Sequence, residues 1–133
     1  MLLFKRKFFK FWFPVLIWAL VIFILSSIPN LQSGLEQDFV LRKIAHILEY
    51  AILNLFLIRA FTAEGLDYKK AIIFSTIVAI LYALSDEYHQ TFVFGREGKL
   101  KDVGIDSIGI LLSDLIWYYK NKLKSRPQSK LLN

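Results

Sequence analysis

Apolar residues in this chain fall into four blocks separated by short polar stretches, and block length, with no strict alternation, sets the expected elements. The first block runs from about Phe11 to Ile28, broken only by the small polar Ser26 and Ser27, and stops at Pro29. A helix of that length rises about 27 Å, close to a hydrocarbon core of about 30 Å. Pro14 falls in its expected first turn, where a missing N–H costs little. A polar stretch from Asn30 to Asp38, with turn formers at Ser33-Gly34, leads to a second block from roughly Arg42 to Phe61. The loop Thr62 to Lys70, containing Gly65, precedes a third block, Ala71 to Leu84, which runs straight into Ser85-Asp86-Glu87-Tyr88-His89-Gln90. A second turn, Gly95-Arg96-Glu97-Gly98, precedes Asp102, the expected cap of a fourth block that ends near Tyr119. No internal repeat or heptad seam is visible.

Composition turns these blocks into membrane spans. At 133 residues the chain is one domain by length, yet 56% of it is hydrophobic, above the roughly 45–50% of soluble domains. A chain this short has no room for a core that would absorb the excess. The expected fold class is all-α, a polytopic membrane bundle of about four transmembrane helices. Residues 1–10 form a basic cytoplasmic N-terminus, 11–119 the membrane domain and 120–133 a basic cytoplasmic tail. Lys5, Arg6, Lys7 and Lys10 ahead of the first block also suit a signal peptide. Bulky Trp12, Phe13 and Trp18, and the lack of an Ala-x-Ala-like exit, argue for an uncleaved anchor.

The net charge of +6 reads as topology and not as a nucleic-acid surface, because the basic residues flank apolar blocks without forming a stripe. With the amino terminus inside, the cytoplasmic segments hold Lys5, Arg6, Lys7, Lys10, Arg59, Lys69, Lys70 and the basic residues of the tail. The outer loops hold only Arg42, Lys43, Arg96, Lys99 and Lys101, in agreement with the positive-inside rule. Both termini are then cytoplasmic. Cysteine is absent, which removes disulfides, thiolate catalysis and cysteine-ligated metals.

On that topology the unusual polar residues collect at one side of the membrane. Lys43, His46, Glu49, Ser85, Asp86, Glu87, His89, Gln90, Asp102 and Asp106 lie at outward helix ends, and Arg96 lies in the outer turn between two of them. Asp102 and Asp106 stand near a helix N-terminus, where the macrodipole favours acids by roughly 0.3–1 kcal/mol each. Asp86 and Glu87 stand at a C-terminal end, where it disfavours them, and they are adjacent like charges. Their expected compensators are Lys43, His46, His89, Arg96 or a bound cation. An ionised acid at mid-membrane costs about 2.5–3.5 kcal/mol, so these groups should face other helices. Helical spacing puts Ser85, Asp86 and His89 on one face, Glu87 and Gln90 on a neighbouring one, and Asp102 with Asp106 on another. Asp114 lies well inside the fourth helix. No His-Glu-x-x-His spacing marks a metal site, no Gly-x-Ser-x-Gly elbow marks Ser85 or Ser26 as a nucleophile, and no cofactor signature is present.

Four stretches occur in an order that resembles the VanZ-like family of bacterial membrane proteins. They are Leu25-Ser26-Ser27-Ile28-Pro29, Lys43-Ile44-Ala45-His46-Ile47-Leu48-Glu49-Tyr50, Tyr82-Ala83-Leu84-Ser85-Asp86-Glu87-Tyr88-His89-Gln90 and Asp102-Val103-Gly104-Ile105-Asp106-Ser107-Ile108-Gly109. The resemblance covers about Trp18 to Leu112. Phe94-Gly95-Arg96 stands where such proteins often carry Pro-Gly-Arg, and a second glycine they often carry near Ser113 is missing. The resemblance implies an accessory role in the cell envelope, of the kind associated with teicoplanin resistance.

Three function classes follow. The first is an outward polar cluster that binds or modifies an envelope lipid, a cell-wall precursor or a glycopeptide. The second is a membrane-embedded hydrolase or transferase, with or without a metal, using Asp86, Glu87 or His89 as acid or base. The third is a small transporter, which calls for ionisable groups through the full membrane depth; only Asp114 lies far from the outer side, and this class ranks last.

Overall fold

A computed structural model describes residues 2–29 and 38–125, with side chains from Arg6 and Phe39 onward in the two stretches. It contains four helices, α1 (Leu2–Ser26), α2 (Asp38–Ala63), α3 (Tyr68–Gln90) and α4 (Leu100–Lys124). The expected turn at Ser33-Gly34 and most of the polar tail lie outside the described residues.

Each helix is longer than the apolar block that predicts it. Charged residues at the block ends are good helix formers, and their heads can reach the interface while the backbone stays helical. Pro14 consequently sits well inside α1 and not in its first turn. α2 ends in a Schellman closure. The N–H of Gly65, at φ 98, bonds Thr62 O at 3.0 Å and that of Leu66 bonds Phe61 O at 3.3 Å. Asp67 then caps α3 by accepting from the N–H groups of Lys69 (3.1 Å) and Lys70 (3.2 Å). Asp102 does not cap α4; the cap position belongs to Lys99, and Asp102 lies in the first helical turn.

α2, α3 and α4 pack on one another, and α1 lies mainly along α2. One face of α3 is a column of small buried residues, Ala71, Ser75, Ala79 and Ala83. Such a face lets helix backbones approach closely in lipid. At Gly109 an added Cβ would meet Ile47 O at 2.0 Å, so α4 touches the α2 backbone there. Trp18 Nε1 donates to Glu49 O (2.9 Å) and Tyr82 Oη to Ala19 O (2.5 Å), fastening α1 to its neighbours.

The periphery is apolar. Leu16, Leu20 and Ile24 of α1, Ile73, Ile77 and Leu81 of α3, and Leu111, Leu115 and Ile116 of α4 are all exposed. A soluble monomer rarely shows so continuous an apolar surface. Among the described residues, three helices are long and apolar enough to cross a membrane: Arg6–Ser26, Phe39–Ala63 and Tyr68–Gln90. α4 is as long, but Asp106 and Asp114 lower its average hydropathy, although its outward face is as apolar as the others.

Candidate functional site

The polar residues of α2, α3 and α4 meet where α3 ends and α4 begins. His46 projects from α2, and its Nδ1 lies 3.0 Å from Asp106 Oδ1 on α4. One turn nearer the α4 N-terminus, Lys43 Nζ donates to Asp102 Oδ1 at 2.5 Å. The two pairs are spaced by three residues on α2 and four on α4 and rise together along both, so they run as rungs between parallel helices. The Gly109 contact sits about one turn below Asp106 and sets the short interhelical distance that these rungs need.

Asp86 and Glu87, about 100° apart around α3, turn to different neighbours, which lessens their mutual repulsion. Asp86, 3% exposed, turns to α1, where Ser26 Oγ hydrogen-bonds its Oδ1; Gln90 Nε2 holds Oδ2 at 2.9 Å. Glu87, 4% exposed, turns toward α2 and α4, and its Oε2 accepts the Lys99 N–H at 2.9 Å. That bond depends on Gly98, where a Cβ would strike Glu87 O at 2.0 Å. Glu87, His46 and Asp106 each offer a ligand atom within 4.8 Å of the other two. Glu87 Oε1 and Asp106 Oδ2 are buried and have no hydrogen-bond partner among the described residues.

Of the expected compensators, His46 stays beside Glu87, and the other three are engaged elsewhere. Lys43 serves Asp102. Arg96 reaches across to the end of α1, donating from Nη2 to Leu25 O (2.9 Å) and from Nε to Ile28 O (3.2 Å). Carbonyls at a helix C-terminus are the natural partners of a cation. His89 leaves the cluster altogether and stacks on Phe23 of α1, with ring centroids 4.5 Å apart. Ser85 is exposed and bonds back to Tyr82 O. The Ser85, Asp86 and His89 face read from helical spacing therefore fans out over α1 and the surface. Glu49 is half-buried on α2, one turn below His46.

Above the trio opens a cavity of about 470 Å³, lined by Phe39, Arg42, Lys43, His46, Gln90, Gly95, Arg96, Glu97, Lys99, Lys101, Asp102 and Ile105. Five of these side chains carry a fixed positive charge and two a negative one. Lys99 pairs with Glu97 at the rim, and their hydrogen bond holds the Glu97 carboxyl below its ordinary pKa and the Lys99 amine above. Arg42 and Lys101 belong to the lining although the sequence marks them only as loop charges.

The VanZ/LLP1 family model matches residues 2–121. The chain belongs to that family. The match is wider than the motif-bearing region from Trp18 to Leu112 and takes in all of α1 and most of α4. No curated protein and no solved structure matches the chain. Within this VanZ-like protein the four motifs now have places. The Leu25-Ser26 motif supplies the Asp86 partner and the two carbonyls held by Arg96, the second supplies Lys43 and His46, the third Asp86, Glu87 and Gln90, and the fourth Asp102, Asp106 and the contact glycine.

A second polar network lies deeper. Asn54 Nδ2 donates to Asp114 Oδ1 (2.7 Å) and Ser113 Oγ (2.7 Å), and Thr76 Oγ1 donates to Asp114 Oδ2 (2.7 Å). It joins α2, α3 and α4 at mid-bundle. Asn54 and Asp114 are visible in the sequence as isolated polar residues, but nothing in one sequence pairs them.

Proposed function

We propose that this protein crosses the membrane four times, with both termini in the cytoplasm, and binds the anionic headgroup of an envelope lipid or lipid-linked cell-wall precursor in the cavity at the α3–α4 end. The single observation that carries this reading is the lining, five fixed cations against two acids around about 470 Å³. Low-dielectric walls of one charge sign concentrate ligands of the other. Arg96 is held rigidly by the α1 carbonyls, so it meets a ligand without first being ordered.

α4 supports the fourth span, because its exposed face is apolar and its acids face the bundle. The distribution of basic residues supports the orientation, which opens the cavity away from the cytoplasm. The 3.0 Å His46–Asp106 pair, with His46 in the cavity lining, supports a reading in which a bound headgroup is modified as well as captured. Teicoplanin-type resistance, implied by the family resemblance, would follow on this reading from engagement of the precursor or the glycopeptide in the same cavity.

Native mass spectrometry of the purified chain, offered equal amounts of phosphatidylglycerol and phosphatidylcholine, tests the reading. Phosphatidylglycerol should be retained in preference. The preference should vanish in the Arg42→Ala, Lys101→Ala double variant and survive removal of Lys120, Lys122 and Lys124 at the opposite end. Equal retention of both lipids, or equal dependence on lysines at either end, would contradict it.

A further inference from the structure

We infer that His46, Glu87 and Asp106 form a binding site for a divalent transition-metal ion, Zn²⁺ or Mn²⁺. The inference stands on the buried trio itself and does not depend on the anionic ligand proposed above. Three helices each contribute one donor, and the ligand atoms lie within 4.8 Å of one another. Ion-to-ligand distances of about 2.0–2.2 Å require closer spacing, roughly 3–3.5 Å between donors. Small side-chain adjustments achieve this without moving a helix.

The observation that points to an ion, and not only to an acidic cluster, is the pair of orphaned oxygens. Glu87 Oε1 and Asp106 Oδ2 are buried, their residues 4% and 0% exposed, and neither has a partner among the described residues. A buried carboxylate oxygen without a donor is costly, and a buried charge without a partner more so. Lys43 is paired with Asp102 and Arg96 with carbonyls of α1, so neither neutralises the two acids. One divalent cation balances two carboxylates with a neutral imidazole.

One nitrogen and two oxygens suit Zn²⁺ and Mn²⁺ better than soft metals or Ca²⁺, which prefers six or more oxygens. Three protein ligands leave at least one coordination position open, as in sites where a metal activates water or polarises a substrate. His46 is the member that also lines the cavity. The open position would therefore face whatever the cavity holds.

Equilibrium dialysis of the full chain in detergent, stripped with chelator and carrying no histidine tag, tests the site with Zn²⁺ and Mn²⁺ alone. One equivalent should bind, with Zn²⁺ tighter than Mn²⁺ by the usual affinity order. Glu87→Gln and Asp106→Asn should each weaken binding by more than about 100-fold, since even outer partners of a metal site carry 10–100-fold. Asp102→Asn, one turn away, should leave it within a few-fold. Wild-type protein that binds no stoichiometric metal would overturn the inference without reference to any variant. So would binding that is indifferent to Glu87 and Asp106. An infrared signature of a proton shared by Glu87 and Asp106 that persists when metal is added would overturn it too. No lipid is present in this experiment, so its failure leaves the anionic-headgroup reading standing, and failure of lipid selectivity leaves the metal site standing.

Discussion

His46 on α2 faces Asp106 on α4 across 3.0 Å, and the closest backbone approach of the same two helices, at Gly109, lies one turn deeper. The hydrogen bond and the glycine are one device. Without the close approach the two side chains would be separated by an added side chain's thickness, and the buried acids would lose their only nearby imidazole.

Gly109 is therefore expected to tolerate nothing larger. In Gly109→Ala the new Cβ meets Ile47 O at 2.0 Å and Ala51 N at 3.0 Å, both backbone atoms that cannot rotate away. Overpacking of this kind costs about 1–3 kcal/mol, and thermal unfolding in detergent should begin at a lower temperature. Gly104→Ala on the same helix has open space around its Cβ. It should be neutral or stabilising by up to about 1 kcal/mol, because alanine is the better helix former. Equal effects of the two substitutions would show that α4 does not seat on α2 as described.

Asn54→Ala should destabilise the bundle. It removes the amide that donates to Asp114 and Ser113 at mid-bundle and leaves Thr76 as the remaining side-chain donor to that carboxylate. Hydrogen bonds inside membrane bundles are worth about 0.6 kcal/mol on average and up to about 1.7. A loss of about 1–2 kcal/mol is expected in reversible unfolding. Asp114→Asn, which keeps an acceptor for Asn54 and Thr76, should lose less.

The four helices are legible in the sequence because hydrocarbon depth writes itself as apolar blocks. Their true ends are not, because Lys69, Lys70 and Asp102 continue a helix beyond the depth at which lipid demands apolar side chains. The polar end is legible as a region, since Lys43, His46, Asp86, Glu87, Asp102 and Asp106 all fall at one end of the bundle. Which of them meet is another matter. Asp86 and Glu87 are neighbours in sequence yet serve α1 and the α2–α4 seam respectively, and His89 leaves for Phe23. The direction of a side chain about its helix axis depends on where neighbouring helices lie, and one sequence does not state that.

At the opposite end of the bundle, Glu64 accepts from Trp12 Nε1 (3.1 Å) and Lys7 Nζ (3.4 Å) and so ties the start of α1 to the α2–α3 turn. The Trp12 hydrogen bond, with help from Lys7, holds the Glu64 carboxyl below its ordinary value near 4.5. A depressed folded value means the tie is fully present above pH 4.5 and is lost as pH falls through the lower, folded pKa. Trp12 fluorescence, with Trp18 and Trp117 replaced by Phe, should change over that acidic range. Glu64→Gln should abolish the transition; a transition unchanged by that substitution would assign it to another group.

The proposed orientation places the Gly95–Lys99 turn outside and the tail inside. An alkaline phosphatase fusion in the turn should be active and one after Lys124 inactive, with the reverse for a cytoplasmic reporter. The same activity for both fusions would remove α4 from the set of spans.

The chain has two histidines, His46 beneath the cavity and His89 stacked on Phe23 away from it. They make an internal probe and an internal control. With ¹³C-labelled histidine, at constant pH in detergent, the imidazole spectrum should be followed as dihexanoyl phosphatidic acid is added, with dihexanoyl phosphatidylcholine as the neutral-headgroup comparison. A saturable shift of the His46 signal is expected with the anionic lipid alone, beside a stationary His89 signal. A stationary His46 signal, or equal movement of both histidines with either lipid, would contradict it.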